Sequence, residues 1–336
     1  MGAGKNQMNI LVTGGGGFLG KAIVRSLVGM GVNVRSFSRK EYPELKKMGV
    51  EVIKGELAEF EDVKQAVKDC GAVFHVAAKA GIWGDYEDYY NTNVLGTKNV
   101  IDACKENGVK KLIYTSSPSV VFHNCDQEGD DESVGYPSNF LSYYPRTKAE
   151  AEQLVIEANS ENLATVSLRP HLIWGPGDNH LVPRIIERAE KGQLRIVGDG
   201  NNKVDTVYID NAAQAHILAF KKLEPGSEIS GKTYFITNNE PLKMKIILNK
   251  ILEAGGLPPV EKHIPSNIAY FLGGVMEFAY NILKIKEEPR MTRFLAKELS
   301  CAHWFDITSA ERDLDYKPEV SIDQGMEKLK NWLQRN

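Results

Sequence analysis

Tyr144 and Lys148 have the residue types and the spacing of an acid–base pair. They are four residues apart at the start of a helical pattern, so both side chains project from one face of the helix. Pro145 fits this position because proline is tolerated in the first turn of a helix. We expect the Lys148 ammonium to favour the phenolate and to lower the pKa of Tyr144, which makes the phenol a proton donor near neutral pH. Tyr143 is adjacent but has the wrong spacing to Lys148.

Ser117 is the candidate to hold a reacting oxygen. It ends the run Thr115-Ser116-Ser117 after an apolar strand pattern, so its hydroxyl is expected at the carboxyl edge of a sheet, where ligands bind. A Tyr-x-x-x-Lys spacing by itself is also common on ordinary helix surfaces. Combined with a cofactor site, however, the three side chains predict proton transfer to or from the oxygen of a ketone or an alcohol.

A dinucleotide site is predicted by the first strand and the glycines after it. Ile10 to Val12 is an apolar strand, and the run TGGGGFLG leads from it into an amphipathic helix. Glycines in such a turn let the backbone approach a pyrophosphate, and the helix N-terminus faces the phosphates. Glycine-rich turns are common, but this one lies between the first strand and the first helix. The predicted cofactor contacts are Gly14, Gly17, Phe18, Leu19 and Gly20.

The end of the second strand indicates which nicotinamide cofactor is bound. An NAD site of this kind has an acidic residue there, which accepts hydrogen bonds from ribose hydroxyls. This chain has Ser38-Arg39-Lys40 instead, and two cations suit the 2′-phosphate of NADP. The other interpretation is a solvated strand end with ordinary surface cations. After the third and fourth strands, adenine and ribose contacts are expected from Glu56, Leu57, Ala77, Ala78 and Lys79.

The elements that must position these residues alternate between short β-branched strands and longer helices. This alternation is typical of a parallel sheet covered by helices on both faces, which is a doubly wound α/β fold. The strands are predicted at residues 9–13, 32–36, 50–54, 72–76, 111–116 and 164–168. The helices between them are predicted at residues 18–30, 61–68, 91–106 and 147–158.

The pattern changes after Arg169, where prolines and glycines interrupt it and helix and loop dominate. We therefore expect a dinucleotide-binding domain over residues 8–174 and a smaller, mostly helical substrate lobe over residues 175–336. Residues 204–220 and 233–237 resemble elements that return to the sheet.

The apolar run at residues 264–285 is interpreted as a buried helix pair that closes the substrate lobe. The alternatives are a lipid-entry flap, a contact with the membrane surface and a docking face for partner enzymes. Asn267, Glu277 and Asn281 interrupt the run, which disfavours a membrane-spanning helix.

Composition excludes several classes of protein. Of the 336 residues, 42% are hydrophobic and 25% are charged, which argues against disorder and repeat scaffolds. Lys and Arg number 41 against 44 Asp and Glu, so the net charge of −3 gives no reason to expect nucleic acid as a partner. The four cysteines are far apart, which predicts neither a metal site nor a redox motif. A reduced cytoplasmic protein without a signal peptide is expected.

The chain resembles the extended short-chain dehydrogenase/reductase superfamily over nearly its whole length, and this resemblance implies a Rossmann fold. The motifs that carry it are the glycine turn, the Ser117, Tyr144 and Lys148 set, Asn93 in NVLGT, and the segment RPHLIWGPG from Arg169. The chain is similar to the 3β-hydroxysteroid dehydrogenase-like branch and, more closely, to bacterial reductases of 2-alkyl-3-oxoalkanoates in long-chain olefin biosynthesis. The closer match lies in residues 35–43, 77–84, 174–181, 197–200 and 208–216.

The resemblance implies NADPH-dependent reduction of the 3-keto group of a long-chain 2-alkyl-3-oxoalkanoate. It assigns Ser117, Tyr144 and Lys148 to catalysis and Asn93 to a water chain that feeds the lysine. It also implies that Pro170 and Leu172 contact the nicotinamide. A homodimer is expected, with the helices at residues 91–106 and 147–158 at its interface. A complex with other olefin-pathway enzymes is a further expectation.

Three other functions stay open at this point. A sterol-4-carboxylate or 3β-hydroxysteroid dehydrogenase would act on chemically similar material, and family resemblance does not separate it from a keto-acid reductase. A nucleotide-sugar epimerase would share the glycines and the Tyr-Lys pair but generally retains NAD, which the Ser38-Arg39 strand end disfavours. A non-catalytic NADP-sensing protein would typically lack the tyrosine or the lysine.

A keto-acid substrate also needs a donor for its carboxylate. Trp83 and Trp174 could line a pocket for long acyl chains, although aromatic residues usually belong to the core. His171 and His216 are expected in packed positions without a catalytic role. The candidate carboxylate donors are Lys79, Asn179, His180 and Arg184, and for His180 and Arg184 a surface or interlobe position is favoured.

Overall fold

The computed structural model describes residues 8–335, and strands and helices alternate through its first half. The strands in chain order are β1 (Asn9–Thr13), β2 (Asn33–Ser38), β3 (Glu51–Lys54), β4 (Cys70–His75), β5 (Lys111–Thr115), β6 (Gln127–Asp130), β7 (Ala164–Pro170), β8 (Ile173–Trp174), β9 (Ile196–Val197), β10 (Lys203–Val204), β11 (Val207–Tyr208), β12 (Thr233–Ile236), β13 (Leu242–Lys243), β14 (His263–Ile264) and β15 (His303–Phe305). The helices in chain order are α1 (Phe18–Gly29), α2 (Pro43–Lys47), α3 (Phe60–Val67), α4 (Tyr86–Tyr89), α5 (Gly96–Glu106), α6 (Tyr143–Glu157), α7 (Leu181–Glu190), α8 (Ile209–Lys222), α9 (Met244–Ala254), α10 (Ser266–Leu283), α11 (Arg293–Ser300), α12 (Thr308–Leu314) and α13 (Ile322–Leu333).

Seven of the strands within residues 8–335 form one sheet in the order β12-β7-β5-β4-β1-β2-β3, and each neighbouring pair is parallel. Along β1, the side chains of Ile10 and Val12 join the apolar cluster on one face of the sheet, while Leu11 joins the cluster on the other face. A strand buried on both faces requires helices on both sides. The doubly wound α/β fold predicted from the sequence is therefore confirmed.

One predicted helix contains a local irregularity. The sequence predicts a single helix over residues 91–106, but the structure has α4, then a π-helical turn over Tyr90–Leu95, and then α5. A π-helical turn widens the helix by one residue and is common at functional sites. Asn93 lies in this turn.

Several elements from the second half of the chain pack against the sheet. β12 pairs with β7 at the sheet edge, and α8 packs against α1. A smaller sheet, in the order β13-β10-β15-β6, combines strands of both halves.

The interpretation of residues 264–285 as a buried helix pair is wrong. The structure has one helix there, α10, whose packed face consists of Ala269, Gly273 and Glu277. A Cβ on Gly273 would lie 2.5 Å from the backbone carbon of Thr292, which shows how closely α10 approaches the start of α11. The large apolar side chains lie on the opposite face, because only small residues allow this close approach.

Candidate active site

A cleft opens where the order of the central sheet reverses. From β1 the chain proceeds to β2 and β3 on one side, while β4, β5 and β7 lie on the other side. The loops after β1 and β4 therefore diverge and leave a crevice at the carboxyl ends of the strands. The cleft has a volume of about 880 Å³. Ser117 lines it together with every residue predicted to contact the dinucleotide: Gly14, Gly17, Phe18, Leu19, Gly20, Ser38, Arg39, Lys40, Glu56, Leu57, Ala77, Ala78, Lys79, Tyr144, Lys148, Pro170 and Leu172.

The turn after β1 is built so closely that it requires glycine. Gly14 has a φ of +69°, in the left-handed region, and a Cβ there would lie 3.0 Å from the Cα of Ala77. A Cβ on Gly20 would lie 2.1 Å from the carbonyl oxygen of Gly14. The Gly17 N–H donates to the same carbonyl at 2.9 Å. This geometry brings the N-terminus of α1 to the floor of the cleft.

A buried hydrogen-bond chain that the sequence analysis missed joins the turn to β4. Thr13 Oγ1 accepts hydrogen bonds of 3.1 Å from the N–H groups of Val76 and Ala77 and lies 2.8 Å from Nδ1 of His75. On its other side, His75 Nε2 lies 2.9 Å from Oγ1 of Thr97. Burial is the main reason that the pKa of His75 is lowered to about 3, so its ring is neutral at pH 7. These hydrogen bonds hold the end of β1 against the end of β4.

The first two turns of α6 place Tyr144 and Lys148 in the cleft. Ser117 and Tyr144 both line the cleft, and Ser117 Oγ lies 2.9 Å from Oγ of Ser119. Tyr143 lies on the outer side of the helix and is 45% exposed. The structure therefore brings Tyr144, and not its neighbour, together with Ser117 and Lys148.

Burial shifts the pKa values of Lys148 and Tyr144. Lys148 is buried, its Nζ donates to the Thr115 carbonyl at 2.6 Å, and it lies 4.1 Å from the centre of the Tyr114 ring. Burial lowers the pKa of Lys148 to about 7. The expected lowering of the Tyr144 pKa is wrong, because burial raises it and the hydrogen bond with Ser117 offsets this only in part. Desolvation disfavours the ammonium and the phenolate alike.

Asn93 is buried and is not among the residues that line the cleft, and its side chain is hydrogen-bonded to neighbouring groups. Its Oδ1 accepts from the Lys79 N–H at 2.7 Å, and its Nδ2 donates to the Lys79 carbonyl at 3.1 Å and to Oγ1 of Thr147 at 3.0 Å. The asparagine therefore ties the loop after β4 to the helix that carries Lys148.

Two exposed cations lie at the end of β2, on the rim of the cleft. Arg39 and Lys40 are both exposed, and Ser38 Oγ donates to the Lys40 carbonyl at 2.8 Å, which shapes the turn. Tyr42 packs over the glycine turn, since a Cβ on Gly16 would lie 2.2 Å from its ring. This rim presents positive charge without a carboxylate at the strand end.

The opposite wall of the cleft contains His171, which was expected in a packed position, and Glu298 and His303, for which the sequence has no local signal. His171 Nε2 lies 3.0 Å from Nδ1 of His303, whose Nε2 lies 2.7 Å from the Glu298 carbonyl oxygen. Burial lowers the pKa of His303 to about 4 and raises that of Glu298 to about 7. His216 is packed, as expected, and lies 2.9 Å from Oγ1 of Thr115.

The four candidate carboxylate donors separate into two groups. Asn179 and His180 line the cleft. Lys79 also lines the cleft, but its ammonium pairs with Asp88 at 3.0 Å. Arg184 pairs with Glu288 on the loop after α10.

Comparisons with known proteins agree with this site. The 2-alkyl-3-oxoalkanoate reductase of Stenotrophomonas maltophilia (strain K279a) is 52% identical over 96% of this chain and 98% of that protein. The 2-alkyl-3-oxoalkanoate reductase of Shewanella oneidensis is 50% identical over 95% of this chain and 84% of that protein. Sterol-4-alpha-carboxylate 3-dehydrogenase, decarboxylating, of Mus musculus is 34% identical over 94% of this chain and 88% of that protein.

A solved structure shares the fold. UDP-glucuronic acid 4-epimerase from Bacillus cereus, in complex with NAD, superposes with a TM-score of 0.75 at 22% identity, covering 98% of this chain and 99% of that one. The model of the 3-beta hydroxysteroid dehydrogenase/isomerase family matches residues 11–265. The chain therefore belongs to the 3-beta hydroxysteroid dehydrogenase/isomerase family of extended short-chain dehydrogenase/reductases, and it is an oxidoreductase that acts on a CH–OH group or the corresponding ketone.

Proposed function

We propose that this protein uses NADPH to reduce the 3-keto group of a long-chain 2-alkyl-3-oxoalkanoate to the 2-alkyl-3-hydroxyalkanoate, in the biosynthesis of olefinic hydrocarbons. The observation that carries the reaction type is the convergence of Ser117, Tyr144 and Lys148 on the cleft that also contains the glycine turn. The substrate is inferred from the two bacterial relatives, which share half of their residues with this chain over nearly its whole length.

The residues of the cleft fit a nicotinamide dinucleotide. A side chain on Gly14 would crowd Ala77, and a Cβ on Gly17 would lie 3.2 Å from the Gly14 carbonyl oxygen. Backbone N–H groups and the N-terminus of α1 would therefore hold the pyrophosphate. Arg39 and Lys40 would hold a 2′-phosphate, and this pair of exposed cations is the support for NADP over NAD. When bound, this cofactor supplies the hydride that the ketone carbon accepts.

Side chains of this protein supply the proton and orient the reacting groups. Tyr144 donates its phenolic proton to the C3 oxygen, and Ser117 donates a hydrogen bond to that oxygen as negative charge develops on it. Lys148 would bind the nicotinamide ribose, and its pKa near 7 lets the amine return a proton to Tyr144 near neutral pH. Asn93 holds the helix of Lys148 against the loop after β4.

The remaining wall of the cleft suits a substrate with apolar arms and one polar end. Phe122, Phe294 and Phe305 line the cleft on the side of α11 and β15, while Asn179 and His180 line it at the start of α7. We assign the acyl chains to the phenylalanines and the carboxylate to the polar pair. This assignment also accommodates the sterol acids of the 34% identical relative, whose carboxylate lies beside a similar alcohol.

The test of the substrate is NADP⁺-dependent oxidation of synthetic 2-alkyl-3-hydroxy acids, since the free keto acids lose carbon dioxide readily. We expect long-chain acids to be turned over and activity to fall steeply as the alkyl branch is shortened, because each buried methylene contributes about 0.8 kcal/mol. Steroid 3β-alcohols and UDP-sugars are the comparison substrates under the same conditions. Faster turnover of a steroid alcohol would replace the keto-acid assignment with the sterol one, and UDP-sugar epimerisation would overturn both.

The test of the cofactor is the variant Arg39→Asp. Removal of one charge-assisted contact is expected to weaken NADPH binding by about ten- to hundredfold, at roughly 1.5 to 3 kcal/mol. The introduced carboxylate also repels the 2′-phosphate and offers an acceptor to the ribose of NADH. Arg25→Asp, an exposed arginine on α1 away from the cleft, is the matched control. A wild-type preference for NADH would contradict the NADP assignment before any variant is made.

We propose in addition that the protein acts as a cytoplasmic homodimer, with α5 and α6 at the interface, and that it associates with other enzymes of the olefin pathway. The family resemblance supports this arrangement. Sedimentation velocity of the full chain tests the dimer, and a charge reversal at the exposed Arg146 on α6 should weaken it. A monomer at micromolar concentration would contradict the proposal.

A further inference from the structure

Glu298 presents a carboxyl group to the cleft without a counterion. It follows Phe294 by four residues on α11, and both side chains line the cleft, so one face of this helix forms part of the wall. Within residues 8–335, the carboxyl group forms no salt bridge. Burial raises its pKa to about 7, and the charge of Arg184 offsets this only in part. An uncompensated acid in a cleft is typical of a functional group.

The elements that line the cleft beside Glu298 leave its charge uncompensated. On α7, Arg184 pairs with Glu288. On β15, His303 lies against the Glu298 carbonyl oxygen, and burial lowers the pKa of its ring to about 4. Burial also lowers the pKa of His171, which contacts His303. Both rings are therefore neutral at pH 7.

The elements behind α11 supply no counterion for Glu298 either. On α10, Glu277 pairs with Arg293 of α11, and the centre of the Tyr270 ring lies 5.8 Å from Nζ of Lys297. β9, which also contacts α11, consists of two apolar residues. The charged side chains of α11 other than Glu298 are thus engaged outside the cleft wall.

Glu298 is coupled electrostatically to both ends of the substrate site. Burial raises the pKa of Tyr144, and a negative charge on Glu298 raises it further. Arg184, whose charge lowers the pKa of Glu298, follows His180 by four residues at the start of α7. The acid therefore faces the phenol as well as the polar pair of Asn179 and His180.

A 2-alkyl-3-oxo acid would bring a second carboxyl group to this wall. In such a molecule the carboxylate carbon is two bonds from the ketone carbon, so a ketone oxygen held by Tyr144 keeps the carboxylate close to the phenol. Two ionised carboxylates repel one another in a cleft of low dielectric constant, whereas an acid and a carboxylate share one proton in a strong hydrogen bond. Glu298 is therefore compatible with the substrate anion only in its protonated form.

We propose that protonated Glu298 determines the preference for acid substrates: its carboxylic O–H donates a hydrogen bond to the substrate carboxylate, beside Asn179 and His180. Ionised Glu298 repels the same carboxylate. As the pH rises, Glu298 loses its proton and the affinity for acids falls. This role rests on the proposed function, because it requires a substrate with a carboxylate.

The experiment measures the binding of an unreactive acid to the full chain in the presence of NADP⁺. The probe is a medium-length 2-alkylalkanoic acid without the 3-oxygen, and its methyl ester is the uncharged comparison. From about pH 7 to about pH 9, the Kd of the acid for the wild type should rise by about tenfold per pH unit, with one proton taken up per acid bound. The Kd of the ester should change little. Isothermal titration calorimetry in two buffers of different ionisation enthalpy measures both quantities.

Variants identify the group that titrates. Glu298→Gln keeps a hydrogen-bond donor but cannot ionise, so the Kd of the acid should change by no more than about threefold over this pH range. His180 and Lys148 gain positive charge as the pH falls and would also favour acids at low pH. His180→Asn and Lys148→Met should nevertheless retain the pH dependence. Glu253→Gln, on the exposed side of α9, is the matched control and should behave as wild type.

The outcomes separate the role of Glu298 from the proposed function. A wild-type Kd for the acid that is independent of pH, a pH dependence that Glu298→Gln retains, or one that His180→Asn or Lys148→Met abolishes would each overturn the role of Glu298. The wild-type comparison of acid and ester decides the matter even where a variant fails to fold. Failure of the enzyme to oxidise 2-alkyl-3-hydroxy acids at any pH would refute the proposed function instead.

Discussion

Lys148 and Glu152 are buried one helical turn apart on α6, but their surroundings differ. The Lys148 amine donates to one backbone carbonyl and faces the Tyr114 ring, with no carboxylate at hydrogen-bonding distance in the part of the chain that the structure describes. Glu152 accepts two hydrogen bonds from Arg169, of 3.0 and 2.6 Å, and a third of 2.8 Å from the Tyr136 hydroxyl. One buried charge is thus left without a counterion, and the other is fully compensated.

Within this one helix, Glu152 therefore has a structural role and Lys148 has a chemical one. A compensated ion pair fixes the position of α6 against β7 and has no group available for chemistry. An uncompensated amine has a pKa near 7, which is unfavourable for folding at neutral pH and useful for proton transfer. Variants at the N-terminal end of α6 should therefore change activity, and variants one turn later should change stability.

The largest effect on activity is expected at the N-terminal end of α6. Tyr144→Phe keeps the ring and removes the transferable proton, so turnover should fall by about 10² to 10⁴-fold while NADPH binding changes little. Tyr143→Phe, one position earlier and exposed, is the matched control and should be mild. Steady-state kinetics with either substrate class gives the comparison. A crippled Tyr143→Phe with a tolerated Tyr144→Phe would show that the acid–base residue is misassigned.

The residues of this end were predictable because each has a local signal. Gly14 and Ser117 follow apolar strands, and Tyr144 and Lys148 belong to the first turns of a helix beside Pro145. Parallel strands bring their carboxyl ends to one edge, so local signals suffice to place these groups in one cleft. The alternation of strands and helices likewise predicted the fold.

The other wall of the cleft had no such signal. Glu298 and His303 follow His171 by more than a hundred residues and come from a region of short elements, so their proximity depends on tertiary packing. The pairing of Glu152 with Arg169 links a helix to a strand in the same way.

The α10 helix was misjudged for a different reason. The sequence analysis interpreted its apolar side chains as buried, because a run of large apolar side chains usually belongs to a core. The signal that could have corrected this was the spacing of Ala269, Gly273 and Glu277, which are four residues apart and mark the packed face. Small residues and one paired carboxylate face α11, and this leaves the large side chains outside.

The second prediction concerns the compensated charge. Glu152→Gln leaves the Arg169 guanidinium buried without its counterion, so the free energy of unfolding should fall by about 3 to 5 kcal/mol. Glu150→Gln, on the same helix, breaks only the surface pair with Arg146 and should cost about 0 to 1 kcal/mol. Urea denaturation of both variants measures the difference. Equal losses would show that the buried pair does not hold α6 in place.

The last prediction concerns Lys148, where activity and stability should change in opposite directions. Burial lowers the pKa of Lys148 in the folded chain to about 7, while an unfolded lysine keeps a pKa of about 10.4. The unfolded state therefore binds more protons between these values, so the wild-type chain gains stability as the pH rises from about 7 to about 10.

Lys148→Met removes this penalty. Its stability relative to wild type should therefore be higher near pH 6 than near pH 10 by roughly 4 kcal/mol, at about 1.36 kcal/mol per pKa unit. The lost hydrogen bond to Thr115 and the lost contact with the Tyr114 ring lower the stability of the variant by a similar amount at both pH values, so they do not change this difference. It should also be almost inactive. Lys47→Met, an exposed lysine on α2, is the control and should show no such pH dependence. Thermal unfolding of the three proteins across this pH range decides the matter, since a difference that stays constant with pH would mean that the Lys148 ammonium has a compensating partner in the folded chain.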